Sequence, residues 1–149
     1  MDVPRKTRYA LRAIFELAKH FGEGPVKIGD IAAAQATPPR FLEVILSQLK
    51  QAGFVDSRRG KHGGYFLVRS PETLSVGDVV RFLQGSIRLV GCSADGPVDD
   101  CPLYENCVFL PMWDKARTAI SDVYDGTSFQ NLVDQHEKLR DEHVPTYTI

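Results

Sequence analysis

Two short β-prone runs, FVDSR at 54–58 and YFLVR at 65–69, are separated by six residues, three of them glycine. A gap that short closes an antiparallel hairpin and little else, because parallel strands need a crossover of a dozen or more residues. Gly60, Gly63 and Gly64 permit the positive φ that a tight tip requires. The same stretch, RRGKHGGYF, gathers Arg58, Arg59, Lys61 and His62. The hairpin is therefore both the firmest element in the chain and a concentrated basic feature.

The residues before it have a different period. From Thr7 to Phe21, Ala10, Leu11, Ile14, Leu17, Ala18 and Phe21 recur at spacings of three and four, which predicts an amphipathic helix ended by Gly22. KIGDIAAAQA at 27–36 predicts a shorter helix with Ile28, Ile31 and Ala32 on one face. TPPRFLEVILSQLKQAG at 37–53 predicts a third, capped by Thr37, with Pro38 in the first helical position. It buries Leu42, Ile45, Leu46 and Leu49, stops at Gly53, and leaves Arg40, Glu43, Ser47 and Lys50 outward. Three helices followed by a hairpin make a winged helix-turn-helix. Ser75 and Asp78 form a capping-box pattern for a fourth helix through Val79, Val80, Phe82 and Leu83 to Gly85.

Beyond this point the pattern breaks. Gly91–Asn106 has no periodicity and reads as an irregular loop. The longest predicted helix follows, with Phe109, Met112, Trp113, Ala116, Ala119, Ile120, Val123 and Tyr124 as a stripe too broad to leave in water. A second copy of the chain is the simplest cover for it. SFQNLVDQHEKL adds one more short helix, and RDEHVPTYTI reads as a disordered tail. The expected organisation is a mainly α fold with a small β-hairpin: a winged-helix unit at 1–85, a cysteine loop at 86–107, a dimerisation helix and short helix at 108–135, and a flexible tail at 136–149.

At 149 residues and 43% hydrophobic content the chain can bury one ordinary core. No apolar run approaches the roughly 18 residues of a membrane span, and MDVPRKTRYA is charged where a signal peptide is apolar, so a soluble cytoplasmic protein with no membrane partner is expected. The net charge of −1 hides an asymmetry: residues 1–90 carry 14 Lys/Arg against 8 Asp/Glu, residues 91–149 carry 4 against 11. That polarity suits a front half facing nucleic acid, while a merely solvated surface gives the same counts.

A winged helix-turn-helix lays its second motif helix in the major groove of duplex DNA, with the wing on the backbone or in the minor groove. On that reading Arg58, Lys61 and His62 face phosphate, Gly63 and Gly64 let the backbone approach, and Arg59 enters a narrow minor groove. Arg40 and Ser47 lie on the reading face. Glu43 can accept from a cytosine amino group or repel phosphate in a wrong register, and periodicity alone also allows a solvated residue. No nucleophile with its base, paired carboxylates or phosphate loop is present, so an enzyme is not expected.

Cys92, Cys101 and Cys107 have the spacing C-x8-C-x5-C. An odd count argues against a disulfide framework, and the paired C-x2-C knuckles of zinc modules are missing. An irregular loop of thiolates beside a helix N-terminus suits an iron-sulfur cluster. Zinc, a thiol switch, unrelated thiols and a small cluster carrier or electron-transfer protein stay open.

TRYALRAIFELA, RFLEVILSQLKQAGFVDSRRGKHGGYFL, LSVGDVV and the loop ending CPLYENC together closely resemble the iron-sulfur cluster regulators, a family of winged-helix bacterial transcription factors with IscR, NsrR and RirA types. The likeness runs from about residue 5 to residue 133. It implies a homodimeric regulator on a double-stranded DNA operator, with Cys92, Cys101 and Cys107 as cluster ligands, Glu43 as the recognition-helix carboxylate and Arg59 as the wing arginine. Leu110 stands where IscR types carry a fourth-ligand histidine, and Arg8 where NsrR types carry an aspartate. The loop is most similar to the RirA type, which implies a four-iron cluster ahead of a two-iron one, sensing iron, redox or nitric oxide status. Glu105, Asp99 and Asp100 are candidate oxygen ligands. TPPRF replaces the serines with which some relatives begin the recognition helix, so a different DNA preference is implied.

Overall fold

A computed structural model describes residues 2–92 and 101–143. The order is α1 (Arg5–Lys19), α2 (Ile28–Ala34), α3 (Pro39–Gln51), β1 (Val55–Arg58), β2 (Gly64–Leu67), α4 (Val76–Gln84), a 3-10 turn (Tyr104–Asn106), α5 (Leu110–Asp125) and α6 (Phe129–Glu142). This is the mainly α winged helix-turn-helix that the sequence predicts. Among the described residues no helix is long and apolar enough to cross a membrane.

Most of the core is built where the spacing placed it; Leu74 joins it from outside the predicted stripes, and Phe82 of the fourth helix is 43% exposed. Ala10, Ile14, Leu17, Ile31, Leu42, Leu46, Leu49, Leu74 and Val79 are sealed from solvent, and α1 runs through the middle of them. The α4 capping box is present, with the Asp78 amide donating to Ser75 Oγ at 3.1 Å and the Ser75 amide to Asp78 Oδ2 at 3.0 Å.

Beyond shifts of one or two residues at the ends of α2 and the strands, four features differ from expectation. α1 ends at Lys19, and Phe21 lies beyond it at 45% exposure, outside the core stripe. α3 begins one residue late: Pro39 disfavours the helical region for the residue before it, so Pro38 stays extended at ψ 130° and becomes the N-cap. Thr37 is instead buried, its hydroxyl donating to the Gln35 carbonyl at 3.1 Å. The hairpin tip has five residues, because Gly64 pairs with Arg58 inside the sheet.

The fourth difference is the largest. α6 is a full helix of 14 residues reaching Glu142, so 136–142 are helical and not tail; the tail expected at 144–149 lies outside the described residues. A second capping box starts it, the Asn131 amide donating to Ser128 Oγ and the Ser128 amide to Asn131 Oδ1, both at 3.0 Å. Phe129 and Val133 are buried in the same core as α1. The N-termini of α4 and α6 lie side by side, with the Val76 amide donating to the Thr127 carbonyl at 2.9 Å and the Phe129 amide to the Leu74 carbonyl at 3.0 Å.

One buried charge fixes the helix-turn-helix to α1. Glu16, 4% exposed, accepts from Gln35 Nε2 at 2.7 Å and pairs with Lys19 at 3.2 Å and His20 at 3.3 Å. Burial pushes its carboxyl up, but hydrogen bonds from Gln35, Lys19 and His20 and the Lys19 charge outweigh this and hold it below the ordinary value. A lowered folded pKa means stability that is present above the carboxylate range and lost as pH falls through it. Urea melts should therefore show wild type losing more stability between about pH 5 and pH 3 than Glu16→Gln does. Beside this clamp Ala36 is held at φ 47°, a left-handed conformation unusual without glycine.

Candidate nucleic-acid interface and cysteine loop

Arg40, Glu43 and Ser47 are exposed on α3, as the periodicity predicts. Arg40 lies over the Phe41 ring at 4.8 Å, and the Tyr9 ring approaches Phe41 at 6.0 Å. Lys50 reaches out of the helix: its Nζ donates to Ser57 Oγ at 2.7 Å and lies 3.6 Å from Asp56. The outer face of α3 is thus tied to the first strand of the wing.

The wing has a third attachment. Val26, in the α1–α2 connection, exchanges two backbone hydrogen bonds with Tyr65, each 2.8 Å. Gly64 sits at this crossing with φ 144°, where a Cβ would come within 2.5 Å of the Val26 carbonyl carbon. Gly63 is buried, its amide donating to the Gly60 carbonyl at 3.0 Å. Among the predicted contacts, Gly63 and Gly64 thus shape the wing from inside. Arg58, Arg59, Lys61 and His62 are exposed, Arg58 lying over the Phe66 ring at 5.2 Å.

Sequence reasoning passed over Val44 and Phe41, exposed on α3 at 58% and 39%. The signal was available: both are apolar residues outside the stripe of Leu42, Ile45, Leu46 and Leu49.

The three cysteines are free. Cys92 is partly buried beside Trp113, Asp114 and Arg117. Exposed Cys101 and half-buried Cys107 bracket the 3-10 turn, the Tyr104 amide donating to the Cys101 carbonyl at 3.1 Å. The Leu110 amide then donates to the Cys107 carbonyl at 3.3 Å, joining the loop to the start of α5. Three reachable thiols fit an iron-sulfur cluster in kind. In position they do not come together: among the described residues no three His, Cys, Asp or Glu side chains are grouped to hold a metal ion. Glu105 is exposed; Asp99 and Asp100 lie outside the described residues. The histidines are engaged elsewhere or remote, His20 with Glu16 and Glu23, His136 against Phe15, and His62 on the wing.

α5 has no buried residue, with Phe109, Met112 and Val123 well exposed at its start and along its length. Val80, Ile87, Leu89, Ala119 and Ile120 line a groove of about 920 Å³ beside it.

Comparison with known proteins is consistent with this arrangement. Residues 3–135 match the family model Rrf2, described as an iron-dependent transcriptional regulator. The chain is 35% identical over 132 residues to the HTH-type transcriptional regulator CymR of Bacillus subtilis, covering 89% of each. It is 32% identical over 139 residues to the regulator IscR of Erwinia tasmaniensis, covering 93% of this chain and 82% of that one. Among solved structures, CymR of B. subtilis, titled the global cysteine regulator of that organism, superposes with TM-score 0.75 at 33% identity, covering 91% of this chain and 98% of that one. IscR of T. potens gives 0.70 at 32% identity, with 100% and 93% covered.

Proposed function

The chain belongs to the Rrf2 family of winged-helix transcriptional regulators, and from that premise we propose that it acts in the cytoplasm as a homodimer on a duplex operator, with the three-cysteine loop as its receiver. Its relatives are regulators, which sets an enzyme aside. The observation that carries the DNA-contact reading is the Lys50–Ser57 hydrogen bond, which joins the exposed face of α3 to the basic wing. Arg40, Glu43 and Ser47 then meet base edges and backbone in the major groove, while Arg58, Arg59, Lys61 and His62 track phosphates or the minor groove. Gly63 and Gly64 hold the tip in shape.

Two copies would cover the apolar face of α5 and the groove next to it. In the receiver, Cys92, Cys101 and Cys107 would hold an iron-sulfur cluster, four-iron ahead of two-iron. Bound there, the cluster would supply thiolate-ligated iron sensitive to iron supply, redox state or nitric oxide. The hydrogen bond from Leu110 to Cys107 gives the loop a direct hold on α5. A thiol switch is the second reading, favoured by reachable cysteines that are not grouped.

Native mass spectrometry on protein purified without oxygen separates the two. A dimer carrying iron and sulfide in cluster ratio supports the cluster; a dimer with bare thiols after attempted reconstitution moves the receiver to thiol chemistry. On DNA, Arg59→Ala is expected to weaken duplex binding about tenfold and lower its salt slope by about one. A Cys101→Ala variant with unaltered response to oxidants and chelators would remove the loop from signalling altogether.

A further inference from the structure

Val44 has a structural oddity that the contacts above do not use. At 100° per residue it lies roughly 150° around α3 from the centre of the buried stripe, on the outer face about 40° from Arg40. It is 58% exposed and is not part of the buried core. A β-branched residue is a weak helix former, and an exposed isopropyl group returns nothing to the folded chain. Phe41, at 39% exposure, is partly shielded by Arg40 and Tyr9.

We propose that Val44 is a specificity-determining residue that reads the 5-methyl group of a thymine in the major groove. Thymine is the one base of the four with a methyl there, and apolar side chains recognise it by contact. Val44 has Arg40 at i−4, Ser47 at i+3 and the partly exposed Phe41 at i−3 around it, and its isopropyl group is the more exposed of the two apolar side chains there. Polar groups could bind the flanking bases while the isopropyl group selects T at one step. The inference rests on α3 being the reading helix.

The test begins with duplexes selected from a random pool by the wild-type protein. Each thymine of a selected duplex is then replaced by deoxyuridine, which lacks only the methyl group, and affinity is followed by fluorescence anisotropy. Wild type should lose about fourfold at one thymine per half-site, the weight of one buried methyl. Val44→Ala, a change that favours the helix, should bind both duplexes alike. Full methyl sensitivity in Val44→Ala, or none at any thymine in wild type, would overturn the inference. Arg40→Ala and Glu43→Ala control for the underlying reading: if both leave the selected sequence unchanged, α3 is not the reader, whereas a change in preference without a methyl effect at Val44 removes this inference alone.

Discussion

Gly64→Ala should destabilise the protein by about 3 kcal/mol and abolish tight duplex binding, although the substitution adds one methyl group. Two effects act together. At φ 144° the backbone is in a region that side chains rarely tolerate, and the new Cβ would press on the Val26 carbonyl and the Lys27 amide. Both partners are backbone, so neither can swing away. Relief requires the two Val26–Tyr65 hydrogen bonds to break, which releases the wing from the α1–α2 connection. Urea unfolding and duplex titration measure the two losses. Gly60→Ala is the control: its φ is 104° but the space around it is open, so strain of about 1 kcal/mol is the whole expected penalty. Equal, small effects at both positions would show that the Val26 crossing does not hold the wing.

Phe129→Ala is the second large change, expected to remove about 3–5 kcal/mol from a total that for domains is about 5–15 kcal/mol. Phe129 is a large side chain with no solvent exposure, at the N-terminus of α6, and shares a core with α1. A melting temperature lower by roughly 10 °C or more is expected by circular dichroism. The consequence reaches DNA binding, because α1 carries Glu16 and through it the turn before α3. If α6 were an appendage of α5, the same truncation would cost less than about 1 kcal/mol and leave α1–α4 intact.

These two positions also mark how far the sequence could be read. The hairpin, the Ser75–Asp78 capping box and the four buried residues of α3 depend on neighbours within a few positions, and all were legible. The start of α3 is ambiguous in the sequence because two successive prolines each fit a helix start, and the restriction that Pro39 imposes on Pro38 decides between them. The full length of α6 is hidden in the sequence because its apolar face is narrow and its partner, α1, lies at the other end of the chain. Gly63 and Gly64 look like phosphate-facing glycines in the sequence; the neighbour that demands a glycine at 64, Val26, is visible only in three dimensions. The cysteine spacing was equally plain, yet spacing carries no information on whether three thiols converge. Val44 stands among charged and polar residues on the outward face, and a lone apolar residue there carries no periodic signal in the sequence.

The tie between Val26 and Tyr65 has a bearing on kinetics as well as shape. A recognition loop that is floppy in solution must give up conformational entropy when it docks, about 0.5–1.5 kcal/mol for each mobile side chain that is immobilised, with further loss from loop ordering. In this wing β1 is tied to α3 through Lys50 and β2 to the α1–α2 connection through Val26, so its backbone has little left to lose. If Arg59 and Lys61 contact DNA as proposed, the affinity they supply would be available almost undiminished, and encounter with DNA would be a matter of steering rather than of folding.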